Sequence, residues 1–281
     1  MTEPAPYFFA GEQIADVQLI RPLRVRALAE CWLAAGLADG SPCAVKFLRR
    51  ENPHAAHFHE LADFLQRSNS PFLIRVLRHA ETAQGMPYAV MEFASGGSLR
   101  RKLEQRGKLS LPKSVFLLRG MLEALASLHA DGIVHRDVKP DNIWLTSDGG
   151  FRLGDLGLAK LPGVAEDRGK VFGTASFLSP EQARDSSCAD ARSDLYSLAL
   201  VLFEVLTGSP LRPKGTFVEM VKRIRSDRTA PPMELLRQSA TEKLALLLGR
   251  MMEFSPALRP QSAEEALAGL NEMNLPEETL F

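Results

Sequence analysis

Three side chains of different chemistry fall within the run His135-Arg136-Asp137-Val138-Lys139-Pro140-Asp141-Asn142: the carboxylate of Asp137, the ammonium of Lys139 and the amide of Asn142. A carboxylate can orient a hydroxyl and take its proton, an ammonium can face the charge on a phosphoryl group in transit, and an amide oxygen can ligate a hard cation. Phosphoryl transfer needs all three. Thirteen residues after Asn142 stands Asp155, in Asp155-Leu156-Gly157. Magnesium prefers hard oxygen ligands and shares its shell with phosphate, so one Asn and one Asp are a reasonable protein contribution. Alone, Asp-Leu-Gly is a common turn; its place after a hairpin downstream of Asn142 makes it specific.

Taken in order, these and further segments resemble the protein kinase family, over about Leu19 to Leu270. The run from His135 to Asn142 resembles the catalytic loop, and Lys139 in it resembles the serine/threonine branch. Asp155-Leu156-Gly157 resembles the magnesium-binding triplet, with leucine in place of phenylalanine. Cys43-Ala44-Val45-Lys46 resembles the strand whose lysine grips the α- and β-phosphates of ATP, with Glu60 on the following helix as its ion-pair partner. Gly173 to Glu181 resembles the segment that closes the activation loop, and Arg259 matches the arginine that pairs with its glutamate, Glu181. Asp194 resembles the residue that accepts hydrogen bonds from the catalytic-loop backbone; as a plain helix N-cap it would need no such role. Thr174 is expected to hydrogen-bond the catalytic loop. The resemblance also implies Met91 as gatekeeper, Glu92, Phe93 and Ala94 as a hinge meeting adenine through backbone groups, and Ala44 and Trp144 near the base. Trp144 stands where the family has a smaller aliphatic residue, and either stacks on the base or narrows its pocket.

Elements that could position these groups are legible in the pattern. Short β-rich runs, Cys43 to Leu48, Leu73 to Arg78 and Tyr88 to Phe93, are broken by one helical stretch, His54 to Arg67, with Phe58, Leu61, Phe64 and Leu65 on one face. After Ser95-Gly96-Gly97 the pattern turns helical, at Val115 to His129, Asp194 to Thr207, Phe217 to Arg225 and Thr241 to Met252. Asp148-Gly149-Gly150 predicts a hairpin between Ile143-Leu145 and Phe151-Leu153. The resemblance implies an α+β bilobal kinase fold: an extension at 1–18, a small antiparallel β lobe with one key helix at 19–93, a larger helical lobe at 94–272 and a tail at 273–281. Both ends read as short extensions that fray.

Composition narrows the classes. The 281 residues are 45% hydrophobic and 24% charged, with 34 basic and 34 acidic side chains, so a substantial core is possible and net charge favours neither nucleic acid nor an anionic membrane as partner. No apolar stretch approaches the ~20 residues that span a bilayer, and the first residues do not read as a secretory signal, which predicts cytoplasmic residence. Cys31, Cys43 and Cys188 are too few and scattered for a disulfide framework or a four-ligand zinc site, and are expected to be buried thiols.

Two departures from the family matter. Where it has a Gly-rich hairpin over the ATP phosphates, this chain has Arg24, Arg26 and Ala29. Losing two charge-assisted backbone contacts of ~1.5–3 kcal/mol each would weaken ATP binding by about two to four orders of magnitude, unless the two guanidinium groups face the triphosphate instead. Between Leu156 and Gly173 there is no Ser, Thr or Tyr, although Arg136 is of the type that answers a loop phosphate. Glu166 or Asp167 is expected to meet Arg136 in its place. The resemblance implies an ATP- and magnesium-dependent kinase of protein Ser/Thr hydroxyls, of bacterial type. The competing reading is a pseudokinase that binds another protein and little or no nucleotide.

Overall fold

A computed structural model describes residues 5–52, 55–164, 168–212 and 215–275. Two compact units emerge, one from residues up to 69 together with 73–95, the other from 70–72 together with 96 onward.

Alternating apolar residues make the first unit a sheet. Its strands are β1 (Gln13–Ile14), β2 (Val17–Arg26), β3 (Ala29–Gly36) and β4 (Pro42–Leu48), then, after helix α1 (Phe58–Arg67), β5 (Val76–Glu81) and β6 (Pro87–Glu92). All pair antiparallel, in the order β1-β2-β3-β4-β6-β5. Every second residue of the central strands points to one face, so Val17, Leu19, Trp32, Ala34, Cys43, Val45, Phe47, Tyr88 and Val90 form a common core. Phe8 joins them, stacked on Phe47 at 4.1 Å between ring centres and only 3% exposed. The extension read as frayed is therefore tied into the sheet at this point, and the Tyr7 amide also donates to Glu30 at 2.7 Å. On α1 the buried face is Phe58, Leu61, Ala62 and Leu65, while Phe64 is half-buried.

The second unit opens with β7 (Gly97–Ser98) and α2 (Leu99–Arg106), continues through α3 (Leu111–Ala130) and the hairpin β8 (Ile143–Leu145) and β9 (Phe151–Leu153), and ends with α4 (Pro180–Arg184), α5 (Ala191–Thr207), α6 (Phe217–Ser226), α7 (Met233–Ser239), α8 (Glu242–Met251) and α9 (Ala263–Asn271). The three strands order as β7-β8-β9. Gly149 supplies the left-handed turn of the β8–β9 hairpin at φ 83°. Ser110 caps α3 and Pro112 fits its first turn, so this helix starts four residues before the expected Val115. Likewise α5 begins at a capping box made by Asp190 and Ser193, which removes the N-cap role from Asp194.

Buried on every side from Ser193 to Leu206, α5 is the central helix of this unit. Its buried polar side chains all have partners: Ser193 with Glu181, Ser197 with the Phe177 carbonyl, and Glu204 with Arg100, which also reaches Asp141 at 3.5 Å. Among the described residues no helix is long and apolar enough to cross a membrane. Of the cysteines only Cys43 is buried; Cys31 is half-buried and Cys188 exposed, because Cys188 ends a short helical turn on the surface.

Candidate functional site

The loop between α3 and β8 holds Arg136 in the left-handed region, at φ 64°. For a residue with a Cβ this costs about 1–2 kcal/mol. Asp194, fully buried on α5, outweighs the cost: its Oδ2 accepts the His135 amide and its Oδ1 the Arg136 amide, both at 2.8 Å. Bonds to a charged acceptor contribute about 1.5–3 kcal/mol each. His129 at the end of α3 adds its Nε2 to Oδ2 at 2.8 Å, and Gln182 donates to the Arg136 carbonyl at 3.0 Å. The His135 ring accepts the Asp137 amide on Nδ1, which leaves Nε2 to donate to the Gly154 carbonyl at 3.1 Å. That bond ties the loop to the residue before Asp155.

On this scaffold the Lys139 ammonium donates at 2.6 Å both to Asp137 Oδ2 and to the Thr174 hydroxyl, and that hydroxyl donates to Asp137 Oδ1 at 3.1 Å. Asn142 turns its amide nitrogen to the Asp137 carbonyl (2.9 Å) and to Oδ2 (3.0 Å). Its oxygen is thereby left buried without a hydrogen-bond partner. A buried amide oxygen in that state is costly unless something electropositive meets it, and a hard cation does so. Asp155 is exposed at φ 63°, and the Gly154 amide donates to the Asn142 carbonyl at 2.9 Å, linking the two oxygen-bearing segments. Among the described residues no group of three or more His, Cys, Asp or Glu side chains is placed to hold a metal ion. The buried Asn142 oxygen and the exposed Asp155 carboxylate are the oxygen donors that this region offers to a hard cation.

Further on, Glu181 and Arg259 form a two-bonded pair at 2.6 and 2.9 Å. Burial pushes the Glu181 carboxyl up, but the Arg259 bonds and charge, with Ser193, outweigh it and hold the carboxyl below its ordinary range. Arg259 spends all five N–H donors, the other bonds going to the Glu253, Arg192 and Phe254 carbonyls.

In the first unit Lys46 is half-buried on β4, opposite Cys31 on one side and Ala89 on the other. Glu60, its expected partner, is 58% exposed and lies 3.8 Å from His57 Nδ1, one turn back. Ala44 pairs with Met91 and Cys43 with Glu92, so the expected adenine-side residues are adjacent in register; Ala94 is buried. Glu92 exchanges bonds with Arg75, its amide donating to the Arg75 carbonyl and its carboxylate accepting the Arg75 amide. The glycine-free hairpin closes with a two-residue turn, Ala27-Leu28, and pairs Arg24 with Cys31 and Arg26 with Ala29. Neither turn residue adopts positive φ, so an L-residue fits each position without left-handed strain. The Leu28 carbonyl at its tip accepts from the Arg49 amide and Asn52, both at 3.1 Å. Trp144, in the second unit, is half-buried on β8 opposite Arg152 and Ser98.

A sequence model of the protein kinase domain matches residues 27–269. This chain belongs to the protein kinase domain family. The kinase domain is 34% identical over 269 residues to the serine/threonine-protein kinase PknB of Mycobacterium tuberculosis, covering 92% of this chain and 40% of that protein. It is 32% identical over 262 residues to a probable serine/threonine-protein kinase PknB of Corynebacterium glutamicum, covering 88% and 40%. A shorter match, 46% over 124 residues, joins it to the serine/threonine-protein kinase PknL of Mycobacterium tuberculosis, covering 43% and 31%. The chain spans less than half the length of these relatives.

Several residues that shape the kinase site were not singled out from sequence. Gln182 and Ser193 act through hydrogen bonds to the catalytic loop and to Glu181. Arg212 donates to the Leu178 carbonyl at 2.6 Å and to the Tyr196 hydroxyl at 2.6 Å, bracing the segment after Thr174; burial holds its guanidinium below the usual arginine value. Only the Ser-Pro-x-Gln pattern of a capping box could have pointed to Gln182. Glu166 and Asp167, the expected partners of Arg136, lie outside the described residues.

Proposed function

We propose that the chain is an ATP- and magnesium-dependent protein kinase that phosphorylates Ser or Thr hydroxyls. The observation that carries this reading is the placement of an ammonium and a threonine hydroxyl together on the Asp137 carboxylate. A substrate hydroxyl on that carboxylate loses its proton to Asp137 as its oxygen bonds to the γ-phosphorus. The bond to the bridging oxygen breaks at the same time, and ADP leaves with the electron pair. Lys139 faces the charge that develops on the transferring group.

Asn142, through its unpaired oxygen, and Asp155 are the residues that would hold magnesium. When bound, the ion neutralises charge on the phosphate oxygens. Lys46 and Glu60 are assigned to the phosphate end of the nucleotide; Ala44, Met91, Glu92, Ala94 and Trp144 are assigned to adenine, on the family resemblance. The partner is a protein carrying the acceptor hydroxyl, and dependence on ATP puts the domain on the cytoplasmic side. Relatives named as serine/threonine-protein kinases support the same reading.

Calorimetric titration of ATP with and without magnesium, followed by transfer to a generic basic protein, tests it. Transfer should vanish in Lys46→Ala and Asp137→Asn. No binding at millimolar ATP would instead make the domain a protein-binding scaffold.

A further inference from the structure

Arg136 sits beside Asp137 and is 3% exposed. Its Nε donates to the Leu158 carbonyl at 2.7 Å and its Nη1 reaches the Ser186 carbonyl at 3.5 Å, while the guanidinium carbon lies 4.7 Å from the centre of the Phe172 ring. Two residues beyond Phe172 comes Thr174, whose hydroxyl is bonded to both Asp137 and Lys139. Neighbours in one segment, Arg136 and Asp137, are thus matched by near neighbours in another, Phe172 and Thr174. Fixing the first contact limits where the second can fall.

The backbone around Phe172 is clasped from the same side. Its amide donates to the Ser186 hydroxyl at 3.1 Å, and the Ser186 amide donates to the Lys170 carbonyl at 2.9 Å. Between them Val171 packs on Leu178, Ala183, Val221 and Ile224, and the Gly169 amide donates to Asp185 at 2.9 Å. None of these contacts contains a phosphate-accepting hydroxyl of residues 157–172, because that stretch has none.

We propose that Phe172 is a positioning residue that does the work of a loop phosphate: its ring holds the Arg136 guanidinium by a cation–π contact, and this keeps Thr174 on Asp137 and Lys139 without any modification of the segment. The domain is then active as synthesised. This rests on the kinase reading above.

The test is steady-state transfer by the whole chain after phosphatase treatment, with mass spectrometry confirming that no phosphate remains. Retained wild-type activity is expected; its loss on dephosphorylation would overturn the proposal. Phe172→Leu keeps the apolar volume and removes the ring's π-face. It should lower kcat about tenfold while KM for ATP and Tm stay at wild-type values, Phe172→Tyr should restore kcat, and Phe172→Glu, which offers Arg136 a carboxylate, should restore most of it. Wild-type kcat in Phe172→Leu would mean apolar packing alone and sinks the idea, as does a Phe172→Tyr variant that stays as low as the Leu variant. Absence of transfer by wild type, alongside the Lys46→Ala and Asp137→Asn controls, would fall on the functional reading itself.

Discussion

Arg259 grips Glu181 through two bonds from a position 78 residues further along the chain, with no part of the guanidinium side chain exposed. Removing one partner of such a buried pair leaves a charge without compensation, so Arg259→Ala should lower unfolding free energy by about 3–5 kcal/mol in a denaturant melt. A loss under about 1 kcal/mol would mean water reaches the pair and screens it.

The same pair sets a pH dependence. The Glu181 carboxyl is held low by Arg259 against burial, so its folded value lies below its unfolded one. That contribution is fully present above the unfolded pKa and is lost as pH falls through the folded value. The Tm advantage of wild type over Glu181→Gln should therefore be constant near neutrality and shrink below about pH 4. An advantage that grew in acid would reverse the assigned sign.

Asp194→Asn puts an NH2 group where one carboxylate oxygen now accepts from the His135 or Arg136 amide. Two donors would then face each other in a fully buried site. We expect a stability loss of about 2–4 kcal/mol and a fall in kcat of at least tenfold, with ATP affinity measured by calorimetry unchanged.

Asn142→Ala removes the unpaired oxygen and also the amide bonds to Asp137. The magnesium concentration giving half-maximal transfer should rise at least tenfold, and chelation should abolish transfer by wild type. A magnesium titration curve identical to wild type would remove Asn142 from the metal site.

Phe8→Ala should cost about 3–5 kcal/mol in a urea melt, since the ring is buried against Phe47. An unmoved midpoint would place Phe8 outside the core.

Much of this could be read from residue types because the candidate catalytic groups are local: Asp137, Lys139 and Asn142 lie on one short loop, and a turn-forming Asp-Gly-Gly fixes the hairpin that follows. The Glu181 and Arg259 pair was legible for a different reason, as the resemblance supplies a long-range partner that periodicity cannot. What escaped depends on geometry that spacing does not carry. Phe8 is separated from the first strand by turn residues, so no alternation marks it as core. Glu60 has the expected helix position, yet its carboxylate lies near His57 in its own first turn. The direction of the Asn142 amide follows from Asp137 taking both of its nitrogen's bonds. In α2 only Leu99 and Leu103 are buried, too few to stand out against its charged residues.

The α5 helix, buried from Ser193 to Leu206, carries Ser193, Asp194, Ser197 and Glu204, and through them it touches Glu181, the catalytic loop, the Phe177 carbonyl and Arg100. An element with no exposed face cannot fray alone, so groups bonded to it have no low-energy opening of their own. Deuterium uptake at the His135 and Arg136 amides should then proceed only when the whole helical unit unfolds, at the slowest rates in the chain. The reacting loop would share the lifetime of the core, leaving motion during turnover to segments that α5 does not hold.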